Sequence, residues 1–391
     1  MNRHNDPGET RTVDDLLASI GLRHGRRKTL AGSWRNGERK SKQKHASAQP
    51  STASKEKATR SIEVLRAQAW QHHSWLRHGF STRAGGASFI YGLGAGEETL
   101  NMGWTEHDVA ANVAENRRRF LAEVARASTQ SASTHASPLL KPCLVTLRQI
   151  HSGILRLVES EEGTLREQIF PGPLQTPDGR AVLRGDGVMT DVPGVILGIQ
   201  TADCVPVLIA DVRRRAVAAF HAGWRGTLAR LVERGIGAMR LRYGSRPQDL
   251  IAVVGPSIGP CCYAVGEEMR TEFESQFAYA PQLFSEVYDS DPVRDKYPLL
   301  FLTARAPGHS NIGPQIHLDL WQANRRQLLD AGIPARRITV VGQCTACTGL
   351  GTPAGRKFFS HRAESGFTGR MLAVVGIARA VRQTGSTRRT P

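Results

Sequence analysis

The chain has 391 residues, 40% of them apolar and 22% charged, with a formal net charge of +17. That is enough for one large domain or two ordinary ones. No run approaches the ~18 apolar residues of a membrane-spanning helix, and the N-terminus opens with charge rather than an apolar signal segment, so a cytoplasmic protein with no membrane partner is expected.

The positive charge would suit a nucleic-acid partner, but much of it lies in Arg26-Arg27-Lys28, Arg39-Lys40-Ser41-Lys42-Gln43-Lys44 and Arg388-Arg389. Nucleic acid is therefore expected only through a basic arm. Residues 1–68, poor in apolar side chains, read as a disordered basic extension with one short helix, Val13 to Ile20. Residues 69–383 read as the catalytic domain and 384–391 as a disordered tail.

Within the domain, short β-branched runs alternate with helical stretches, which makes the fold class α/β, mixed α+β in detail. In chain order the pattern predicts a helix from Val109 to Ala125, then strands at Cys143–Gln149, Val195–Gln200, Val205–Ala210 and Ala216–Phe220. A helix at Leu228–Leu241, a strand at Leu250–Val254 and helices at Glu267–Phe277 and Leu318–Ala331 follow. A strand at Ile338–Val341 and a helix at Met371–Val381 close the chain. The stretches Ala127–Ser137 and Asp289–Pro314 read as loop insertions.

The segment from Gly198 to Thr227 carries the most chemistry. Two apolar runs flank Asp211-Val212-Arg213-Arg214, a β-hairpin pattern. A turn centred between Val212 and Arg213 makes Cys204 and His221 direct cross-strand neighbours, about 4.5–5.5 Å apart at Cβ. Such a pair is either a nucleophile with its base or two ligands of one metal. His151, at the end of the Arg148-Gln149-Ile150 strand, is the candidate third ligand.

After His221, a glycine-bearing loop runs into a helix with Thr227 as the expected N-cap, an arrangement suited to anions. Arg225, Gly226 and Thr227 are the candidate phosphate contacts, with Arg83 and Arg362 as helpers. Asp203 is a candidate proton acceptor or orienter. The six cysteines are too few and scattered for a disulfide framework. Cys344 and Cys347 form one C-x-x-C, but the adjacent Cys261 and Cys262 lack the spacing of a second pair, so no second metal site is expected.

Together with Thr82-Arg83-Ala84-Gly85-Gly86, Leu100-Asn101-Met102-Gly103, Glu115-Asn116-Arg117 and Gln149-Ile150-His151, the segments Ala202-Asp203-Cys204-Val205-Pro206 and His221-Ala222-Gly223-Trp224-Arg225-Gly226 resemble the YfiH family, also called the laccase-domain-containing family. Ile258-Gly259-Pro260, Phe358-Phe359-Ser360-His361-Arg362 and Thr368-Gly369-Arg370-Met371 extend the resemblance, which runs from about Gly79 to Val381. It implies a single-domain sandwich of mixed sheets and helices, related to the cytotoxic-necrotising-factor type of cysteine hydrolase. It also implies a metal site of two His and one Cys, falling on His151, Cys204 and His221.

The same resemblance implies phosphorolysis of adenosine, inosine and 5′-methylthioadenosine, with adenosine deamination. Zinc is the metal expected, held by three protein ligands with a fourth position open to water or substrate. An older family name implies copper-dependent polyphenol oxidation, yet the His-x-His pairs of such sites are absent from the 13 histidines. Adventitious copper at an N2S site remains compatible with general metal affinities. A third reading is a metal-free amide hydrolase acting on a cell-wall precursor, with Cys204 as nucleophile, His221 as base and His151 as orienter. The chain departs from the family pattern in its basic arm, its two insertions, His361 where Tyr is commoner, and a Gly/Pro segment after Cys347.

Overall fold

The computed structural model describes residues 61–126, 143–287 and 315–379, apart from 95, 162, 171, 353 and 354. The expected helix at Val13–Ile20, the C-terminal tail and both insertions lie outside the described residues.

Five strands form one sheet, in the spatial order Val64–Leu65 (β1), Leu76–Ser81 (β2), Met371–Ile377 (β16), Val195–Thr201 (β8) and Cys143–Thr146 (β4). Seven form a second: Ile338–Val340 (β15), Leu250–Val254 (β11), Val205–Asp211 (β9), Ala216–Ala222 (β10), Gly187–Thr190 (β7), Leu155–Glu161 (β5) and Thr164–Glu167 (β6). A small third sheet joins Ala264–Val265 (β12), Gln315–Leu318 (β14) and Phe284–Val287 (β13). Ala84–Ser88 (β3) lies outside all three and meets Thr99 by isolated bridges.

Strand alternation explains the layering. Leu208, Ala210, Val217, Ala219 and Val253 of the larger sheet share one core with Leu197, Ile199, Ala373 and Val375 of the smaller. Their sequence neighbours Val207, Ile209, Ala218, Phe220 and Ala252 point the other way, into a core closed by Leu231–Tyr243 (α3), Glu267–Gln276 (α4) and Leu320–Asp330 (α5). Leu372, Val374 and Ile196 form the outer core of the five-stranded sheet with Phe120 and Val124 of Ala110–Arg126 (α1). Helices thus cover both outer faces of a pair of packed sheets, an α/β architecture. Among the described residues, no helix is long and apolar enough to cross a membrane.

Two sequence expectations are corrected. Met371–Val381 is not a helix: Met371–Ile377 is a strand inside its sheet, with side chains buried toward two different cores. A strand covered on both faces loses its alternation and reads as a plain apolar run. The fold also begins ahead of residue 69, since Val64 and Leu65 pair with Ser81 and Phe80. Ala67 is buried, and its N–H donates to His78 Nε2 at 3.1 Å.

Candidate active site

The hairpin of β9 and β10 forms, but its register differs from the expected one. Ala216 pairs with Asp211 and His221 with Pro206. The turn takes four residues, because Arg215 adopts φ 53° and the Asp211 carboxylate accepts the N–H groups of Arg213 and Arg214 at 2.8 and 2.9 Å. Cys204 and His221 are therefore diagonal rather than direct partners. A slip of two preserves facing, since side chains alternate with period two, so the pair still meets.

By this register Gly223 lies across from Cys204. A Cβ on Gly223 would sit 2.8 Å from Cys204 Sγ, so the glycine keeps room for the sulfur. His151 occupies a turn at φ 57° beyond β4. Its imidazole Nε2 is 3.9 Å from Cys204 Sγ, and its ring centroid is 4.8 Å from that of His221. One ligand atom from each of His151, Cys204 and His221 lies within 4.8 Å of the others.

Asp186, which the sequence reading missed, organises all of this. It is fully buried just before β7, and its Oδ1 is 2.9 Å from His221 Nδ1. The same carboxylate accepts N–H groups from Ile150, His151 and Ser152, at 3.3, 3.0 and 2.6 Å, and the Ser152 hydroxyl at 2.7 Å. Its own carbonyl accepts the His221 N–H at 2.7 Å. One residue thus fixes both histidines, and it points His221 Nε2 away from itself, free to face Cys204. The one sequence signal for it is a lone aspartate between Gly185 and Gly187.

The electrostatics follow from this packing. Burial works against charge on the Cys204 thiol, yet the two imidazoles outweigh it and pull the thiol down to about 6. Burial likewise disfavours protonated His221, but the Cys204 thiolate and the Asp186 carboxylate raise it to about 9. For Asp186, burial is overcome by hydrogen bonds from His221 and Ser152, which lower the carboxyl to about 2. His221 is buried, Cys204 half-buried and His151 exposed, so the cluster opens to solvent on the His151 side.

A cleft of about 480 Å³ is lined by Trp224, Tyr263, Gly266, Glu268, Met269 and Arg362, and Tyr263 links it to the cluster by feeling the Cys204 charge. The Tyr263 phenol is pushed up to about 12, first by burial and then by the Cys204 charge, with Arg362 and Arg225 opposing. Arg225 is exposed and stacks on Trp224, with its guanidinium 4.2 Å from the ring centre. Arg362 donates to the Ala264 carbonyl at 2.7 Å and stands 5.3 Å from the centre of the Tyr263 ring.

The other candidates take structural places. Thr227 is no N-cap: it lies inside the short helix Trp224–Leu228 (α2), whose N-cap is Gly223. A break at Arg230, φ 52°, separates α2 from α3. The Thr227 hydroxyl is buried, donating to the Ala222 carbonyl and accepting from Asn324. Gly226 is buried too, and a Cβ there would lie 3.0 Å from the His221 carbonyl.

Arg83 is 3% exposed, and its guanidinium is taken up by Glu364 and the Tyr91 carbonyl. It holds the fold together rather than presenting to an anion. Asp203, at φ 89°, accepts the Thr345 hydroxyl and the Arg362 N–H, each at 2.6 Å, and so braces the loop that carries Cys204.

Two imidazoles and a thiolate, converging beside a buried carboxylate that fixes one tautomer, form a donor set suited to a transition metal. The fold and this site define an α/β protein with a His/Cys group able to hold a metal ion, and its sequence places it in a family. Residues 77–378 match the family described as multi-copper polyphenol oxidoreductase laccase, and the chain belongs to it.

The purine nucleoside phosphorylase YlmD of Geobacillus stearothermophilus is 32% identical over 307 residues, 77% of this chain and 94% of the relative. The adenosine deaminase RL5, from an unknown prokaryotic organism, is 30% identical over 224 residues, 55% of this chain and 73% of the relative. The crystal structure of the Bacillus licheniformis hypothetical protein YfiH superposes with a TM-score of 0.59 at 26% identity, covering 81% of this chain and 96% of that one.

Proposed function

We propose that this protein is a purine nucleoside phosphorylase that also deaminates adenosine, working at a zinc site held by His151, Cys204 and His221. The observation that carries the reading is the convergence of those three side chains, with Asp186 behind His221, near a cleft bordered by Trp224, Tyr263 and Arg362. The relatives named for phosphorolysis and deamination of purine nucleosides supply the substrate class.

Zinc bound there would supply Lewis acidity and activation of water. The chain's own residues do the rest. Asp186 holds His221 in the tautomer that leaves Nε2 for the ligand position. In phosphorolysis a phosphate oxygen bonds to C1′ of the ribose as the bond from C1′ to the purine nitrogen breaks. Arg225 and Arg362 are assigned to that phosphate, because Arg362 lines the cleft, Arg225 stacks on Trp224 in its wall, and neither is committed to a carboxylate in the described structure. Trp224 and Tyr263 offer ring faces to the purine and ribose. Arg83, Gly226 and Thr227 support the fold around the site rather than touch phosphate. Oxidation through a trinuclear copper cluster needs more imidazoles than the two gathered here.

A second reading is favoured by one observation. Cys204, His221 and Asp186 also form a thiol, imidazole and carboxylate in series, the arrangement of a metal-free cysteine hydrolase. In it the orienter is Asp186 rather than His151. Adenosine incubated with and without phosphate, with the products separated, decides between them. Adenine released only with phosphate supports phosphorolysis, and inosine supports deamination. Neither product from zinc-loaded protein overturns the nucleoside reading.

A further inference from the structure

Cys261 and Cys262 lie on a tight turn in which the N–H groups of Cys262 and Tyr263 both donate to the Gly259 carbonyl at 3.0 Å. Cys344 and Cys347 lie on a second turn, closed by the Thr348 N–H on the Cys344 carbonyl at 3.0 Å. Ser257 and Cys344 are bridged in parallel, which sets the two turns side by side. All four sulfur atoms come within 4.8 Å of one another, and those of Cys261 and Cys347 are 3.6 Å apart. Spacing in sequence gave no sign of this, because the partner of the C-x-x-C is a vicinal pair brought in by the fold.

We propose that Cys261, Cys262, Cys344 and Cys347 form a second metal site, a structural tetrathiolate that binds zinc.

Three observations support it. Zinc–sulfur bonds of about 2.3 Å in a tetrahedron place the sulfurs about 3.8 Å apart, close to the spacing here. Two disulfides would need sulfur pairs at about 2.05 Å, and a single one would leave two thiols crowded beside it. The Gly259 N–H donates to Cys344 Sγ at 3.2 Å, and the N–H groups of Ala346 and Cys347 also favour its thiolate against the cost of burial. Backbone donors aimed at a ligand sulfur are the outer-shell support that metal thiolates receive. A divalent cation would bind these sulfurs as thiolates, displacing their protons.

The site would clip together two loops that hold the active site. Ile258 donates its N–H to the Asp203 carbonyl at 2.9 Å, and Thr345 donates its hydroxyl to the Asp203 side chain. Asp203 precedes Cys204, and Tyr263, next to Cys262, lines the cleft. The metal would thus be structural, held one residue from Thr345, which braces the loop carrying Cys204, and one residue from Tyr263 in the cleft wall.

The test is zinc content and X-ray absorption fine structure on full-length Cys204→Ala protein, purified under reducing conditions. That substitution cuts into the His151/Cys204/His221 set and leaves the four-thiol set whole. The proposal expects about one zinc per chain with sulfur-only coordination, and loss of that zinc when Cys344→Ser and Cys347→Ser are added. Zinc bound through nitrogen, no zinc at all, or a Cys261–Cys347 disulfide in its place would each overturn it. Because the readout is taken with Cys204 removed, failure of the nucleoside reading leaves this result standing. The coordination spectrum needs only the single variant, so misfolding of the triple variant would not obscure the answer.

Discussion

His221 Nδ1 and Asp186 Oδ1 stand 2.9 Å apart, and the same carboxylate gathers three consecutive N–H groups of the turn that carries His151. One side chain therefore sets the tautomer of one imidazole and the position of the other. In Asp186→Asn the amide nitrogen cannot accept, so some of these bonds are lost while the shape is kept. Zinc affinity is expected to fall about 10- to 100-fold, the usual cost of losing an outer-shell partner. Competition against a chromophoric chelator measures it; unchanged affinity would mean that Asp186 only braces the fold.

Metal removal exposes the chemistry of the thiol. In chelator-treated protein, Cys204 titrates near 6, so it is already thiolate at neutral pH. Its alkylation by iodoacetamide, followed by mass spectrometry of the Cys204 peptide, is expected to be nearly flat between about pH 7 and 8.5. An ordinary thiol of pKa ~8.5 would speed up about 15-fold over that range. Restoring zinc is expected to protect Cys204 from the reagent.

Gly223→Ala tests the close approach across the hairpin end. Gly223 has φ −63° and ψ 179°, a backbone that alanine adopts without strain, so the effect is steric alone. The added carbon would sit 2.8 Å from Cys204 Sγ and 3.9 Å from His151 Cδ2. A stability loss of about 1–3 kcal/mol, typical of overpacking, is expected together with weaker zinc binding. Wild-type melting and wild-type zinc content in this variant would rule out the steric account.

His78 supplies an acid-sensitive joint. It is 5% exposed, burial lowers it to about 4, and its Nε2 accepts the Ala67 N–H, a role that protonation ends. The folded state therefore binds fewer protons than the unfolded chain, whose histidine titrates near 6.5. Stability from this group is present in full above about pH 6.5 and is lost as pH falls toward 4, on the order of 3 kcal/mol in all. In His78→Gln that share of the pH dependence should vanish. A denaturant series at pH 7 and pH 4.5 on both proteins checks it.

Much of the candidate trio was legible because strand parity is a robust signal. Cys204 and His221 face the same way under either a two-residue or a four-residue turn, so the error in register left their pairing intact. His151 was singled out as a side chain at a strand end, but the strand stops at Thr146 and His151 sits in the turn beyond it, where Asp186 holds the backbone. Asp186 was not, because a single carboxylate between glycines looks like any loop residue until the fold buries it. Met371–Ile377 misled because a strand buried on both faces carries no alternation. Thr227 had the chemistry of a cap, but the break at Arg230 moved the helix start beyond it. The four-cysteine cluster joins residues more than 80 positions apart through a parallel bridge, which no local spacing encodes.

Phosphorolysis at His151, Cys204 and His221 is what the proposed function requires. The most direct measurement is phosphate-dependent adenine release from adenosine by metal-analysed wild-type and Cys204→Ala proteins, side by side. Release by the wild type is expected, with a loss of at least about 100-fold in the variant, whose fold by circular dichroism is unchanged. Equal release by the two proteins would contradict it, and would place the reaction elsewhere on the chain.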